Sequence, residues 1–339
     1  MTLKKLGRQT VAFAAPPTIA GFASVVGKKE GEGPLAADFD LINQDDSFGE
    51  SSWEKAESTM QRLALQGALD KAGQAPSSLD TLFAGDLLNQ CIASSFAVRG
   101  QDVPFLGLYG ACSTMAEGLV LASMTLDGGF GSWTAAVASS HFCSAERQYR
   151  TPLEYGGQRT PTAQWTVTGA GAAVLARDGT GPYITHATIG KVVDKGIKDA
   201  NNMGAAMAPA AYSTLTAHFS DTGRKPTDYD LIVTGDLGEL GRSIVLDLFR
   251  ADGVELSNYD DCGVMIFDLP AQDVHCGGSG CGCSAVVLNG YLLRGMGEGR
   301  WRKILFCGTG ALLSPISSLQ GESIPGICHA VAISTEKGV

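Results

Sequence analysis

The stretch Gly110-Ala-Cys-Ser-Thr114 places two small residues and a cysteine at the start of an apolar run that continues to Leu126. A second stretch, Gly280-Cys-Gly-Cys-Ser-Ala285, begins another apolar run that continues to Leu293. The length and composition of both runs predict buried helices that begin directly after a glycine-containing turn. The same kind of helix start therefore occurs twice, which indicates an internal duplication of the chain.

The segments that flank these helices repeat in the same order. Residues 80–87 and 230–237 each contain an acidic residue, a short apolar run and the tripeptide Gly-Asp-Leu, and each follows a helix-like segment, at 53–72 and 205–219. After each apolar helix come a glycine-rich turn with a tryptophan, a strand-like run and a hairpin-like stretch. Strands that alternate with helices predict an α/β protein with mostly parallel sheets and helices on both faces.

Length and composition agree with two closely packed halves, which we predict at 1–180 and 181–339. The chain has 339 residues, of which 44% are hydrophobic, and a net charge of −10 that disfavours a nucleic-acid-binding surface. The nine cysteines lack the spacing of a disulfide scaffold, which indicates free thiols in a reducing compartment. No window approaches the roughly 18 uninterrupted apolar residues of a membrane-spanning helix, so we expect none.

A duplicated half with Gly-Ala-Cys-Ser-Thr at the start of a helix resembles the thiolase and ketoacyl-synthase superfamily. Longer motifs resemble one family within it, the stage V sporulation protein AD family of endospore-forming bacteria; they occupy residues 84–90, 105–114, 145–150, 154–158, 207–211, 277–281 and 309–315. The resemblance implies a thiolase-like five-layered αβαβα fold, usually assembled as a homodimer. It also implies that the protein binds dipicolinic acid (pyridine-2,6-dicarboxylate) and supports its uptake into the developing spore.

The same resemblance implies partners and a location. Other stage V sporulation A proteins would supply the membrane channel, because this sequence predicts no membrane span. Attachment would then be peripheral, on the cytosolic face of the inner forespore membrane. We expect no nucleic-acid partner and no cofactor, and the sequence leaves open whether Ca²⁺ accompanies dipicolinate.

Cys112 stands where enzymes of the superfamily carry the residue that accepts an acyl group. A cysteine at a helix N-terminus faces the positive end of the helix dipole, which lowers the pKa of a thiol. The alternative is a buried cysteine that packs as a small apolar side chain. The condensing enzymes take a histidine and an asparagine from the second half, where this chain has Gly235-Asp236 and Gly278-Ser-Gly-Cys281. Without that base we predict a relict nucleophile and no condensation chemistry.

Asp86 and Asp236 end the two strand-like runs, and ligands of open α/β sheets bind beyond the carboxyl ends of strands. Both are therefore candidate ligand-binding residues. Two carboxylates would repel dianionic dipicolinate unless Ca²⁺ bridges them or one of them is protonated. The alternative is that each carboxylate caps backbone amides.

Recognition of a dicarboxylate calls for cations, and the richest supply lies at residues 141–159. Candidates there are His141, which follows a predicted strand, and Arg147 and Arg150, whose guanidinium forks suit carboxylates. The alternative for the two arginines is ion pairing with Glu146 and Glu154 across a subunit interface.

The segment His275-Cys-Gly-Gly-Ser-Gly-Cys-Gly-Cys283 contains four residues of metal-binding type within nine positions. Its spacing matches no zinc-finger or ferredoxin pattern, and its place in the duplication is the turn before the second apolar helix. We therefore predict no metal site. Ser279, Cys281 and Cys283 are instead candidates for the pocket wall opposite Cys112, with simple burial of the cysteines as the alternative.

Three functions are compatible with these features. The first is a non-condensing protein that binds dipicolinate. The second is an acyltransferase or thioesterase that works through Cys112, with an unusual base such as His141. The third is a structural subunit with an unused pocket. The missing histidine and asparagine favour the first.

Overall fold

The computed structural model describes residues 4–149 and 159–337. In these ranges the strands are β1 (Lys5–Leu6), β2 (Thr10–Ala12), β3 (Thr18–Val26), β4 (Leu41–Ile42), β5 (Thr81–Gly85), β6 (Phe105–Leu108), β7 (Trp133–Ser140), β8 (Trp165–Thr166), β9 (Gly169–Ala176), β10 (Tyr183–Thr188), β11 (Leu231–Thr234), β12 (Tyr259–Asp261), β13 (Gly278–Ser279), β14 (Lys303–Ala311) and β15 (Gly326–Ser334). The α-helices are α1 (Lys28–Gly31), α2 (Trp53–Ala72), α3 (Ile92–Ala97), α4 (Thr114–Asp127), α5 (Phe142–Tyr149), α6 (Met203–Thr222), α7 (Gly238–Ala251), α8 (Cys262–Met265), α9 (Cys281–Val287), α10 (Leu293–Gly297) and α11 (Pro315–Leu319). A π-helical turn, Leu288–Leu292, joins α9 to α10.

The main strands follow the same order in each half. The first half gives β6-β5-β7-β9-β3 and the second gives β12-β11-β14-β15-β10, with the first three strands of each set parallel and the last two antiparallel to their neighbours. One residue pair, Thr18 with Tyr183, joins the two sets between β3 and β10. The repeats that the sequence shows at 80–87 and 230–237 form β5 and β11, which hold equivalent places in the two sets.

The helices form three layers around the two sets of strands. Helix α2 packs on β3 and β9, while α6 packs on β14 and β15. Between the sheets, α4 contacts β5 and β7 on one side and β14 and β15 on the other, and α9 lies beside it on β7 and β9. Side chains of α4 such as Met115 and Leu119 are fully buried, as expected of a helix that is apolar on all sides. The predicted five-layered αβαβα fold is therefore confirmed.

Caps explain where the two long outer helices begin and end. The Ser52 side chain accepts from the Lys55 amide at the start of α2, and the Asn202 side chain accepts from the Ala205 amide at the start of α6. Each helix ends at a glycine with a left-handed backbone, which a residue without a Cβ adopts without strain. The helix-like segments of the sequence are thus confirmed, although α6 is longer at both ends than the predicted 205–219.

The hairpin-like stretches predicted at the end of each half are instead the single long strands β9 and β15. Each lies between two antiparallel neighbours and has both faces covered, so its residues are nearly all buried. The alanine and glycine run of β9 suits such a position because large side chains would keep the central helices away. In the described part of the chain no helix has the length and apolar character needed to cross a membrane.

Close backbone approach places the start of α4 directly against the second sheet. A Cβ on Gly310 of β14 would lie 2.6 Å from the carbonyl oxygen of Gly110 and 3.1 Å from the amide nitrogen of Ser113. A glycine is therefore required at this point of β14. The turn that carries Cys112 consequently contacts elements from both halves.

Candidate functional site

Cys112 lies on a tight turn that ends in helix α4. Ala111 has a φ of 49°, in the left-handed region that residues with a Cβ seldom occupy. Its carbonyl oxygen accepts a hydrogen bond from the Thr114 hydroxyl at 2.6 Å, and the carbonyl of Gly110 accepts one from the Ser113 hydroxyl at 2.6 Å. These bonds hold the strained backbone in place and leave Cys112 in the interior, with 6% of its surface exposed.

The carboxylate of Asp236, just beyond β11, faces Cys112 from the second half. It accepts hydrogen bonds from the Thr309 hydroxyl at 2.8 Å, from the Gly280 amide at 3.0 Å and from the Ser279 hydroxyl at 3.2 Å. The thiol of Cys112 lies beside it, close enough for each group to influence the ionisation of the other. The structure thus brings together Cys112, Asp236 and Ser279, three of the residues predicted from the sequence, in a buried group.

This environment opposes ionisation of Cys112. Burial, followed by the negative charge of Asp236, raises the pKa of the Cys112 thiol well above its usual value. Burial also raises the pKa of the Asp236 carboxyl, against the effect of its hydrogen-bond donors. The sequence predicted a lowered thiol pKa from the helix dipole. That expectation was wrong because a buried thiol beside a carboxylate is disfavoured as an anion more strongly than one helix terminus favours it.

Cys281 and Cys283 lie on α9, which begins next to this group. The Cys281 thiol donates to the carbonyl of Ala111 at 2.9 Å, and the Cys283 thiol donates to the carbonyl of Gly235 at 3.5 Å. Both are fully buried, and burial raises the pKa of each thiol. Cys281 therefore supports the turn that holds Cys112, while Cys283 contacts the backbone just before Asp236.

Asp86 occupies the equivalent place after β5 but has a different set of partners. Its carboxylate accepts from the Leu88 amide at 2.9 Å and from the amide and hydroxyl of Ser94, at 2.8 and 2.6 Å. It thus fixes the loop that leads into α3, and the structure does not bring it into the hydrogen-bonded group around Cys112. Whether it contributes to ligand binding stays a prediction.

Glu57 lies near Asp86 and was not foreseen from the sequence. It is buried and accepts hydrogen bonds from the hydroxyls of Ser139 at 2.8 Å and Ser144 at 3.0 Å. Burial, with a further contribution from the charge of Asp86, raises the pKa of Glu57 to about 8. Its helical spacing from Gln61 and from the buried Met60 is the signal that places it on the inner face of α2.

His141 follows β7, as predicted, but both of its ring nitrogens are engaged. Nδ1 accepts from the Cys143 amide at 3.1 Å, so Nε2 carries the proton and donates to the carbonyl of Asp46 at 2.8 Å. Burial lowers the pKa of His141, which favours this neutral form. The ring also lies 5.3 Å from that of Trp53. These contacts leave no nitrogen directed at Cys112.

Arg147 and Arg150 were the cations predicted for the site, and the structure describes only Arg147. Arg147 forms an ion pair with Glu54 on α2 and keeps about half of its side chain exposed. Arg150 and Glu154 lie outside the described residues. Among those that are described, the other histidines have hydrogen-bond partners away from Cys112, namely Thr185 for His186, Thr188 and Tyr229 for His218, Thr160 for His275, and Gly190 for His329.

The histidine and cysteines of the segment 275–283 do not converge on one point. His275 contacts the carbonyl of Thr160 at 2.7 Å, and the Cys276 sulfur accepts from the Leu240 amide at 3.3 Å. Cys281 and Cys283 face inward, as described above. Within the described ranges, no three groups of the His, Cys, Asp or Glu type gather in a way that suits a metal ion.

Solved structures of known enzymes share this fold. The 3-oxoacyl-[acyl-carrier-protein] synthase III of Aquifex aeolicus matches with a TM-score of 0.57 at 13% identity, covering 94% of this chain and 99% of that one. OleA of Xanthomonas campestris with bound acetamide matches with a TM-score of 0.61 at 15% identity, covering 96% and 100%. These likenesses establish a thiolase-like fold and nothing more, because the identities are low.

Sequence comparison gives a closer relationship. The family profile of stage V sporulation protein AD matches residues 7–334. The curated stage V sporulation protein AD of Bacillus subtilis (strain 168) is 43% identical over 337 residues, which cover 99% of both chains. The chain therefore belongs to the stage V sporulation protein AD family.

Proposed function

We propose that this protein is a non-condensing member of the thiolase-like fold that binds dipicolinic acid and supports its uptake into the developing spore. Membership of a sporulation family supports the biological setting. The claim that the protein does not condense acyl groups rests on one observation, the pairing of Cys112 with Asp236. Asp236 stands at the place where a condensing enzyme requires a base for its nucleophile.

The pairing argues against acyl transfer for an electrostatic reason. An acyl-enzyme forms when a thiolate attacks a carbonyl carbon, so the thiol must first lose its proton. Here burial raises the pKa of the Cys112 thiol, and the adjacent carboxylate raises it further. No described histidine, lysine or arginine side chain hydrogen-bonds to Cys112 to offset this. The thiol therefore keeps its proton near neutral pH and serves as a wall and a weak hydrogen-bond donor.

The same group can accommodate a carboxylate ligand once its own charge is removed. Burial raises the pKa of Asp236, so a second negative charge nearby favours its protonated form. A protonated Asp236 would donate a hydrogen bond to a ligand carboxylate instead of repelling it. Ca²⁺ bound between ligand and protein would remove the repulsion in a different way, and hard oxygen ligands suit it.

We extend the proposal to assembly and location. Among the described strands, β6 ends its row, and the large apolar side chains of Leu106 on β6 and Phe96 on α3 are 55% and 45% exposed. A free strand edge with exposed apolar residues suits pairing with a second copy of the chain. Peripheral association with other stage V sporulation A proteins at the inner forespore membrane completes the proposal.

A Cys112-dependent acyltransferase or thioesterase is the second candidate. The strained backbone at Ala111 favours it, because left-handed residues held by several hydrogen bonds are frequent at catalytic turns. This candidate requires a covalent acyl group on Cys112 and a proton acceptor formed only when substrate is bound.

Calorimetric titration with dipicolinate separates the candidates. The purified protein is titrated with and without Ca²⁺, with benzoate as a monocarboxylate control, and is then incubated with acetyl-CoA for peptide mass analysis. Saturable dipicolinate binding that Cys112→Leu weakens, with no acyl mass on the Cys112 peptide, supports the proposal. An acyl mass on Cys112 without dipicolinate binding overturns it in favour of the enzyme. No response to any ligand indicates a structural subunit.

A further inference from the structure

Trp165 lies on β8, which pairs with β13 directly beside Ser279 and the Asp236 group. Phe142 stacks on its indole ring, with centroids 3.9 Å apart and an interplanar angle of 10°. One face of the indole is therefore fully covered. The other face is open to contacts from neighbouring chain segments.

Two cations occupy that second face. The Lys29 ammonium nitrogen lies 4.2 Å from the ring centroid of Trp165, and the Arg159 guanidinium carbon lies 4.9 Å from it. Because Phe142 blocks the opposite side, Lys29 and Arg159 must share one aromatic face. Such a face attracts a single cation, but it does not cancel the repulsion between two.

The hydrogen bonds of Arg159 are incomplete. Its side chain is only 10% exposed. Nη2 donates to the carbonyl of Asp273 at 2.6 Å and to its carboxylate at 3.0 Å, whereas Nη1 is buried and has no acceptor among the described residues. A buried guanidinium nitrogen without an acceptor is unfavourable, so this position calls for an anion.

Lys29 presents spare donors next to it. Its ammonium group donates to the carbonyl of Gln272 at 2.6 Å, and an ammonium carries three donors. Partial burial, followed by the charge of Arg159, lowers the pKa of Lys29. Lys29 is only partly buried, which gives a ligand a way in from solvent.

The carboxylates around the two cations are either mostly exposed to solvent or buried and largely uncharged. Asp273 has a side chain that is 78% exposed, and it also faces the His275 ring at 3.2 Å. Glu30 follows Lys29 in the chain, but burial raises its pKa to about 8, so it is largely uncharged at neutral pH. Glu32, which also acts on Lys29, is 57% exposed and faces Lys28 at 3.9 Å. Among the described residues, the buried Nη1 of Arg159 therefore has no hydrogen-bonded carboxylate.

We propose that Lys29 and Arg159 form a binding site for the carboxylate or phosphate group of a small anionic ligand. The site is connected to the group around Asp236 and Cys112 through Gln164, which precedes Trp165 in the chain. The side-chain amide nitrogen of Gln164 donates to the backbone carbonyl oxygens of Asp236 at 2.7 Å and Gly278 at 2.8 Å. Dipicolinate is the physiological occupant that we infer, and this identification alone rests on the proposed function.

The test uses the full-length protein with inorganic phosphate as a generic probe and dipicolinate as the specific one. Binding is followed by calorimetry, and the fluorescence change is compared in Trp165→Phe. Lys29→Met keeps an apolar stem over the indole and removes the charge. Lys28→Met is the matched control, because Lys28 is adjacent and its side chain is 56% exposed, with its nearest carboxylate, Glu32, 3.9 Å away.

We expect Lys29→Met to weaken binding by about tenfold, the factor for one lost charge-assisted hydrogen bond, and Lys28→Met to leave it within about twofold. Equal effects of the two variants on both probes overturn the site. Dipicolinate binding that Lys29→Met leaves unchanged also overturns it, while the proposed function stands. Phosphate binding that depends on Lys29, without dipicolinate binding, supports the site and refutes the proposed function. Arg159→Lys tests the second cation, with circular dichroism to confirm folding.

Discussion

Replacement of Asp236 by asparagine should destabilise the protein and make Cys112 more reactive at the same time. The carboxylate accepts hydrogen bonds from the hydroxyls of Thr309 and Ser279 and from the amide of Gly280. An asparagine offers one oxygen and one amino group in the same space. At least one of the donors would then face another donor in a fully buried position.

The expected loss of stability follows from the number of donors that asparagine leaves without an acceptor. The Gly280 amide cannot rotate, and the Thr309 hydroxyl already accepts from the Asp236 amide at 3.0 Å, so its proton is directed at the carboxylate. One unsatisfied buried donor lowers the free energy of unfolding by about 1 to 3 kcal/mol, and we expect about 2 kcal/mol here. Removal of the negative charge also lowers the pKa of the Cys112 thiol, because that charge is the largest cause of its upward shift after burial.

Two measurements check this reasoning, urea denaturation for the free energy of unfolding and iodoacetamide labelling of the Cys112 peptide across a pH series. Asp86→Asn is the matched control, since it also removes a buried, amide-accepting carboxylate. Both variants should lose about 2 kcal/mol, but only Asp236→Asn should accelerate labelling of Cys112. Equal acceleration in both variants would point to local opening instead of electrostatics and would refute the assignment.

Three further predictions concern stability. Burial raises the pKa of Glu30 from 4.5 to about 8, so the folded protein keeps a proton that the unfolded chain releases, and the stabilising contribution of this group is lost progressively between pH 4.5 and about 8. In urea titrations across that window, Glu30→Gln should remove a decline in the free energy of unfolding of up to about 1.4 kcal/mol per pH unit. Gly310→Ala should lower the free energy of unfolding by about 1 to 3 kcal/mol, because the new Cβ would lie 2.6 Å from the Gly110 carbonyl oxygen. Gly297→Ala is the control: no atom lies within 4 Å of its Cβ position, so this change should be neutral or slightly stabilising. Phe306 is fully buried, and Phe306→Ala should cost about 3 to 5 kcal/mol by chemical denaturation; a loss below about 1 kcal/mol would contradict its place in the core.

The duplication could be predicted from the sequence because it is written in local patterns. The apolar runs followed by Gly-Asp-Leu predicted the two equivalent strands β5 and β11. The small residues before Cys112 predicted the start of helix α4. The antiparallel strands β9 and β15 were mistaken for hairpins because both are buried on both faces, so neither shows the alternation of apolar and polar residues that marks a single half-buried strand. Each of these strands pairs with strands that lie far away in the sequence, so local patterns do not reveal the pairing.

The candidate site was only partly predictable for the same reason. Cys112, Asp236 and Ser279 lie together because each follows or precedes an element at the same end of the two sheets. The duplicated order of strands and helices predicts this convergence. The pKa direction of Cys112 depends on burial and on a carboxylate from the other half, and neither is visible near residue 112. His141 also follows a strand as predicted, but a carbonyl at Asp46 and the amide of Cys143 decide what its ring can do.

The position of α4 between the two sheets has a consequence for biosynthesis. The side of α4 that faces the second half is covered by β14 and β15, which are synthesised well after it. At about 5 to 20 residues per second, the nascent first half waits roughly 10 to 40 seconds with that apolar face uncovered. The N-terminal half should therefore depend on chaperones during translation, and a gene split between the halves should yield two fragments that stay soluble only when they are co-expressed.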